Sequence, residues 1–171
     1  IIYDLIFLIF ALSYLPVCVF RRKFHQGFLM RLGFFSQEIK RELNSAGPRP
    51  LWLHAVSVGE VKASGRLIEA LRREYPGRRI IISTVTPTAN MIARTIAGKG
   101  NTVLYLPMDL SFIVRRVISM VGPAIFIIAE TEIWPNLIYF LHRAGIPIVT
   151  VNARISDKSF KGYNLIRFLL R

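Results

Sequence analysis

Residues 51–69 read LWLHAVSVGEVKASGRLIE and hold a strand, a turn and the start of a helix. The first part, Leu51 to Val56, is apolar apart from one histidine and follows two prolines, as is typical of a strand covered on both faces. Residues 57–59 turn the chain, and apolar and charged residues then alternate with helical spacing. The stretch predicts a βα unit with Glu60 in the first helical turn, above the carboxyl end of the strand.

Two interpretations of Glu60 remain open. The spacing Ser57-x-x-Glu60 fits a capping box. In this motif the serine hydroxyl accepts the backbone N–H of the glutamate, and the glutamate carboxylate accepts the backbone N–H of the serine. The second interpretation is a carboxylate placed where open α/β sheets bind ligands, outside the carboxyl ends of the strands. One residue can serve both purposes.

The same βα pattern recurs along the chain. The apolar runs predict strands at Leu51 to Ala55, Ile80 to Thr84, Thr102 to Leu106, Ala124 to Ala129 and Pro147 to Val151. The predicted helices between them are Glu60 to Glu74, Pro87 to Ala97, Leu110 to Met120 and Pro135 to Arg143. Thr86 and Asp109 stand where they can cap the helices that follow them. This alternation predicts an α/β fold, a Rossmann-like and mostly parallel sheet covered on both faces.

Polar residues follow every predicted strand. These residues are Ser57 to Glu60, Thr84, Thr86, Thr88, Asp109, Glu130 to Glu132, Asn152, Arg154 and Ser156. If the strand order is the doubly wound 3-2-1-4-5, the first and fourth strands are neighbours at the point where the order reverses. The turns that carry Glu60 and Glu130 then flank one crevice, which is a candidate active site, although helix caps explain many of the same residues.

Residues 1–20 are apolar with a single charge, Asp4, and are followed by the basic residues 21–23. This segment is long enough to cross a bilayer, and it predicts a transmembrane anchor with the basic side, and all that follows, in the cytoplasm. A cleaved signal peptide places its charges before the apolar run. Residues 21–50 are predicted to be a juxtamembrane helical region and linker, and residues 51–171 the globular domain.

The net charge of +13 requires an anionic partner. The basic residues are spread over the chain and lie beside aromatic ones, which favours an anionic membrane surface over nucleic acid. The single cysteine excludes a disulfide framework, and the three histidines are too dispersed for a metal site. No strand is followed by GxGxxG or a P-loop, so no nucleotide cofactor is predicted.

Four motifs in register carry a resemblance to a known family. These are HAVSVGE at 54–60, TVTPT at 84–88, ETEIWPN at 130–136 and NARIS at 152–156. Together they resemble the signatures of the 3-deoxy-D-manno-octulosonic acid (Kdo) transferases of lipopolysaccharide assembly. The resemblance implies a GT-B architecture of two Rossmann-like domains, of which this chain matches the N-terminal, acceptor-binding one. The residue after TVTPT is Ala89, where the family usually has glycine.

The resemblance also implies roles for single residues. Glu60 matches the family's proposed catalytic base, which deprotonates an acceptor hydroxyl for inverting attack. The candidate acceptor-binding residues are Ser57, Gly59, Thr86, Thr88, Glu130, Glu132 and Arg154.

Substrates and location follow from the same resemblance. The expected acceptor is a phosphorylated, acylated lipid A precursor, and the expected donor is CMP-Kdo, bound by a second domain beyond Arg171. Neither a metal nor another cofactor is expected. The expected location is the bacterial inner membrane. The 171 residues alone are expected to be inactive. The alternative is a basic membrane-surface module that binds anionic lipid without catalysis.

Overall fold

The computed structural model describes residues 3–9, 27–130 and 132–153. The strands are β1 (Leu51–His54), β2 (Ile80–Thr84), β3 (Thr102–Tyr105), β4 (Ile125–Ala129) and β5 (Ile148–Val151). The helices are α1 (Phe28–Arg31), α2 (Gln37–Asn44), α3 (Val58–Ala63), α4 (Gly65–Glu74), α5 (Pro87–Ala97), α6 (Ser111–Val121) and α7 (Pro135–Arg143). Residues 3–9 are also helical.

The five strands form one parallel sheet in the order β3-β2-β1-β4-β5. Leu51 pairs with Ile80 of β2 on one side and with Ile125 of β4 on the other, so β1 is central. The predicted Rossmann-like, mostly parallel sheet is confirmed, and its strand order is the doubly wound one on which the predicted crevice depended. Because all strands run in one direction, the loops that follow them emerge at one edge, and the order reverses between β1 and β4.

Each face of the sheet is buried under helices, which explains the uninterrupted apolar runs. On one face, Trp52 meets Phe126 edge to face with ring centroids 4.9 Å apart, and α2, α6 and α7 pack over them. On the other face, Leu53 and its neighbours are covered by α3, α4 and α5. Phe35, in the loop before α2, is part of the first core, so this loop packs against the same sheet.

The helix predicted over Glu60 to Glu74 is two helices. Its first turn begins earlier, at Val58, and the regular helix is interrupted at Ser64 between α3 and α4. Ser64 and Gly65 both have low helix propensity, because serine competes for backbone hydrogen bonds and glycine costs backbone entropy. Ser64 is buried, so the interruption is packed against the core.

Asp109 was predicted to cap the helix that follows it, and this prediction is wrong. The cap position of α6 is Leu110, one residue later, and its side chain makes no capping hydrogen bond. The Asp109 carboxylate instead accepts the backbone N–H groups of Asn136 (3.1 Å) and Leu137 (2.8 Å), at the start of α7. Asp109 therefore links the loop after β3 to the helix after β4.

The vacant capping role at α6 is taken by Asp4, from the helical residues 3–9. Its Oδ1 atom accepts the backbone N–H of Ser111 at 3.0 Å and the side-chain amide of Asn136 at 2.8 Å. Tyr3 donates its hydroxyl to Asp109 Oδ2 at 3.0 Å. The exposed apolar side chains of this segment are Leu5, Ile6, Leu8 and Ile9.

The predicted anchor over residues 1–20 falls mostly outside the described residues, as do Cys18 and the basic residues 21–23. Within residues 3–9, 27–130 and 132–153, no helix has the length and apolar character needed to cross a membrane.

The Asp109 contacts generate a stability prediction. We expect Asp109→Ala to lower the free energy of unfolding by about 3 kcal/mol, because it leaves buried N–H groups at the start of α7 without an acceptor. Ser36→Ala is the control, since Ser36 caps α2 through Ile39 N at an exposed position and its loss costs about 1 kcal/mol. Urea unfolding followed by tryptophan fluorescence measures both. Equal losses in the two variants would contradict the proposed linking role.

Candidate functional site

The candidate site lies at the carboxyl ends of β1 and β4, and Glu60 stands on the β1 side. The carboxylate accepts the backbone N–H of Val56 at 2.7 Å and that of Ser57 at 3.2 Å, while Glu60 N donates to Ser57 Oγ at 3.2 Å. This is the capping box that the spacing allowed. Two N–H donors hold the carboxylate in one orientation, and each oxygen keeps a second lone pair for another donor.

The loop after β4 brings two more carboxylates to this edge. Glu130 has a φ of 69°, a left-handed conformation that is uncommon outside glycine, and its N–H donates to Val151 O at 2.9 Å. Glu132 Oε2 accepts the indole N–H of Trp134 at 3.1 Å. The pKa of Glu132 is raised, first by burial and then by the negative charges of Glu60 and Glu130. The structure therefore gathers three carboxylates, and Glu132 protonates more readily than an ordinary glutamate.

His54, the last residue of β1, lies fully buried below these side chains. Its Nδ1 atom is 3.0 Å from both the carbonyl oxygen and the hydroxyl oxygen of Ser83, and its ring lies 6.3 Å from that of Trp134. Because a carbonyl only accepts, Nδ1 carries the proton, and the buried Nε2 atom has no partner within the described residues. Burial, with the charge of Arg31, lowers the pKa of His54 to about 4.

The threonines of the TVTPT motif lie where α5 begins, after β2. Thr86 Oγ1 accepts the N–H of Ala89 at 3.2 Å and so caps the helix. Thr86 and Thr88 are exposed, so their hydroxyls are accessible. Ala89 is completely buried on the second face of the sheet, so its methyl group is part of that core.

Two other predicted site residues have different outcomes. Gly59 is exposed in α3, and a Cβ atom there would meet only Ser57 Oγ, at 3.8 Å. Neither backbone conformation nor packing requires glycine at this position. Arg154 lies outside the described residues, and the chain is described as far as residue 153.

The structure adds three residues that the sequence did not single out. Trp134 joins Glu132 to His54, and Asn136 holds Asp4 and Asp109 together. Arg31, from α1, reaches the end of β3, where its Nε–H donates to Leu106 O at 3.2 Å. Trp134 and Asn136 stand inside the ETEIWPN motif, which was a usable signal, whereas nothing in the sequence near Arg31 marks it.

Neither metal-ligand clusters nor deep cavities coincide with this acidic edge. The described part of the chain contains no group of three or more His, Cys, Asp or Glu side chains placed to hold a metal ion. Cavities of about 680 Å³ between α2 and α5 and about 760 Å³ between α6 and α7 include none of the predicted site residues in their linings. The three residues of the acidic edge, Glu60, Glu130 and Glu132, are each partly buried.

A family model described as "3-Deoxy-D-manno-octulosonic-acid transferase (kdotransferase)" matches residues 26–171. The chain belongs to this family. The 3-deoxy-D-manno-octulosonic acid transferase of Haemophilus influenzae is 37% identical over 147 residues, which are 85% of this chain and 33% of that protein. The transferase of the same name from Chlamydophila psittaci is 31% identical over 163 residues, 94% of this chain and 37% of that protein.

A third relative has a broader description. The bifunctional glycosyltransferase/methyltransferase of Fusobacterium nucleatum is 32% identical over 123 residues, which are 71% of this chain and 19% of that protein. The chain thus spans about a third of the length of the curated family members it matches. The four motifs of the sequence analysis all fall within the matched residues 26–171.

His54 gives this site a predictable pH dependence. The pKa of His54 is about 4 in the folded protein against 6.5 in the unfolded chain, so the unfolded chain takes up a proton first as pH falls. Neutral His54 therefore contributes to the free energy of unfolding in full above pH 6.5, and this contribution is lost as the pH falls towards 4. For a pKa shift of this size the free energy of unfolding decreases by about 3 kcal/mol. We expect His54→Gln to remove this part of the slope in urea unfolding measured across that range. An identical slope in the variant would show that His54 does not carry it.

Proposed function

We propose that this chain is the acceptor-binding half of a Kdo transferase and that Glu60 is its catalytic base. The observation that carries the proposal is the position of the Glu60 carboxylate, oriented by two backbone N–H groups at the point where the strand order reverses. Ligands of open α/β sheets bind at this point. Family membership supplies the reaction class, since the matching relatives are named as Kdo transferases.

In the proposed reaction, Glu60 accepts the proton of an acceptor hydroxyl as the hydroxyl oxygen attacks the anomeric carbon of Kdo. The bond from that carbon to the CMP phosphate breaks, and its electron pair leaves with CMP. Attack from the face opposite the leaving group inverts the anomeric configuration. A base must be within hydrogen-bond reach of the proton it removes, and the free lone pairs of the Glu60 oxygens make this possible without breaking the capping box.

Glu130 and Glu132 have supporting roles in this proposal. Glu132 lies close enough to both Glu60 and Glu130 for their charges to raise its pKa, and it accepts a hydrogen bond from Trp134. Carboxylates accept hydrogen bonds from sugar hydroxyls, so we assign both residues to acceptor binding, together with the exposed Ser57, Thr86 and Thr88. Gly59 and Arg154 complete the proposed acceptor set on the strength of the motifs alone.

We place the donor site elsewhere in a longer protein. The chain covers about a third of its matched relatives, and no Gly-rich nucleotide motif follows any of its strands. The proposal therefore includes a GT-B arrangement, with CMP-Kdo bound mainly by a second domain and with no metal ion needed for transfer. On this account the 171 residues alone are inactive.

We further propose that the domain works on the cytoplasmic side of the bacterial inner membrane, held by residues 1–20, with a lipid A precursor as acceptor. The exposed apolar side chains of residues 5–9 support this attachment. So does the cavity between α6 and α7, where Arg115 lies 5.7 Å from the ring centroid of Phe140 and Phe112 is exposed. Cationic and aromatic side chains together suit an anionic lipid surface. The second candidate, a lipid-binding module without catalysis, rests on these same features.

The Glu60 proposal makes a direct kinetic prediction for the complete protein. We expect Glu60→Gln and Glu60→Ala to lower kcat for Kdo transfer on the order of 10²- to 10⁴-fold, because neither side chain can accept the acceptor proton. Glu69→Gln, an exposed glutamate on α4, is the control for charge, and we expect it to stay within about twofold of wild type. The assay supplies CMP-Kdo and a lipid A precursor in mixed micelles.

The result also separates the two candidate functions. Loss of transfer with retained binding to lipid vesicles supports catalysis by Glu60. Wild-type kcat in Glu60→Gln would remove Glu60 as the base, and absence of transfer in the wild-type protein would favour the lipid-binding module.

A further inference from the structure

The side chain of Arg31 is a partly buried cation at the same edge of the sheet as the acidic cluster. Its Nε–H donates to Leu106 O at 3.2 Å, beside the end of β3, and its backbone carbonyl accepts the N–H of Met108 at 2.7 Å. The loop after β3 therefore holds α1 at two points. These contacts fix where the guanidinium lies.

Arg31 has no acidic partner among the described residues. Its Nε–H makes the one side-chain hydrogen bond that the described residues provide, and burial is the cause that lowers its pKa. A guanidinium stays charged at neutral pH even so. Within residues 3–9, 27–130 and 132–153, four of its five N–H donors have no protein acceptor. The nitrogens that carry these donors are not among the buried atoms that lack a partner. A partly desolvated charge of this kind is costly unless an anion pairs with it.

The surroundings of Arg31 connect it to the candidate site. Arg31 lies close enough to His54 for its charge to help lower the pKa of the imidazole. The His54 ring is 6.3 Å from Trp134, and Trp134 donates to Glu132. His54 Nε2, buried and unpaired within the described residues, is a further unused polar atom between them.

We infer that Arg31 is the anion-binding residue of this site, and that its free N–H groups form a paired contact with two oxygens of a substrate phosphate or carboxylate. The planar guanidinium matches both groups in geometry. It would position that substrate against the carboxylates, which bind hydroxyls and repel negative charge. The identity of the anion rests on the proposed function: the family's sugar is an acid and carries a carboxylate, while a membrane lipid acceptor carries phosphate.

Anion binding can be measured on the complete protein without turnover. Thermal unfolding is followed at constant ionic strength with added inorganic phosphate or with free 3-deoxy-D-manno-octulosonic acid. The variants are Arg31→Gln, Arg31→Lys and the control Arg73→Gln, which removes an exposed charge on α4. We expect one of the two anions to raise Tm of the wild-type protein and of Arg73→Gln, and to leave Arg31→Gln unchanged.

Arg31→Lys keeps the charge without the planar fork, and we expect a smaller rise in its Tm. This variant also keeps the test valid if Arg31→Gln folds poorly. Protection of the wild-type protein by phosphate shows that Arg31 binds a phosphate group, and protection by the sugar acid shows that it binds a carboxylate. The substrate whose KM rises in Arg31→Gln then identifies the source. Equal protection of Arg31→Gln and wild type, or no protection of wild type by either anion, would overturn the inference.

Transfer kinetics give a second and independent measurement. We expect Arg31→Gln to raise KM for one substrate on the order of 10- to 100-fold, the loss expected for hydrogen bonds to a charged group, while Arg73→Gln leaves both KM values unchanged. An unchanged KM for both substrates would contradict the inference. If the wild-type protein shows no transfer, the proposed function fails, and the thermal measurement still decides whether Arg31 binds an anion.

Discussion

Strand β1 hydrogen-bonds to a parallel neighbour on each side, β2 and β4, and the positions of Glu60, Glu130 and Glu132 depend on this pairing. A parallel pair sends the chain back by a helix, so the turn after β1 and the turn after β4 emerge side by side, with their helices on opposite faces. The crevice between them is a consequence of this connectivity. Glu60 and Glu132 lie close enough there to interact electrostatically, because the strands before them are adjacent.

Function and stability draw on the same side chains at this edge. Glu60 satisfies two backbone N–H groups of its own turn, and Asp109 satisfies two at the start of α7. The hydrogen bonds that cap the helix therefore also fix the orientation of the Glu60 carboxylate, which is the proposed catalytic base. His54 is the exception, since its Nε2 atom is buried without a partner in the described ranges. Buried polar groups of this kind are rare, and they concentrate where a fold supports a site.

The sheet could be predicted from the sequence because its signals are local. Each apolar run, such as Ile80 to Thr84, is bounded by turn residues, and TVTPT marks the start of α5 through a cap and a proline. The order of the strands was a condition taken from doubly wound sheets, and the structure has that order. Glu60 and Glu130 could be placed at one edge for the same reason.

The remaining features depend on partners that are distant in sequence. Asp109 is one residue too early to cap α6, and only the packing of α7 against α6 shows what it does instead. Asp4 reaches Ser111 across 107 positions, and no periodicity predicts such a contact. The interruption at Ser64 and the place of Arg31 beside Leu106 are likewise set by packing of helices on the sheet. Residue propensities predict single helices and strands, but they do not predict contacts between two elements that are distant in sequence.

The most direct test of the account is a structure of the complete protein with its acceptor bound. The account predicts that the reacting hydroxyl lies within about 2.6–3.2 Å of a Glu60 oxygen, with the capping box intact and Glu132 contacting the same sugar. An acceptor sugar seated in the cavity between α6 and α7, with Glu60 left facing solvent, would contradict it.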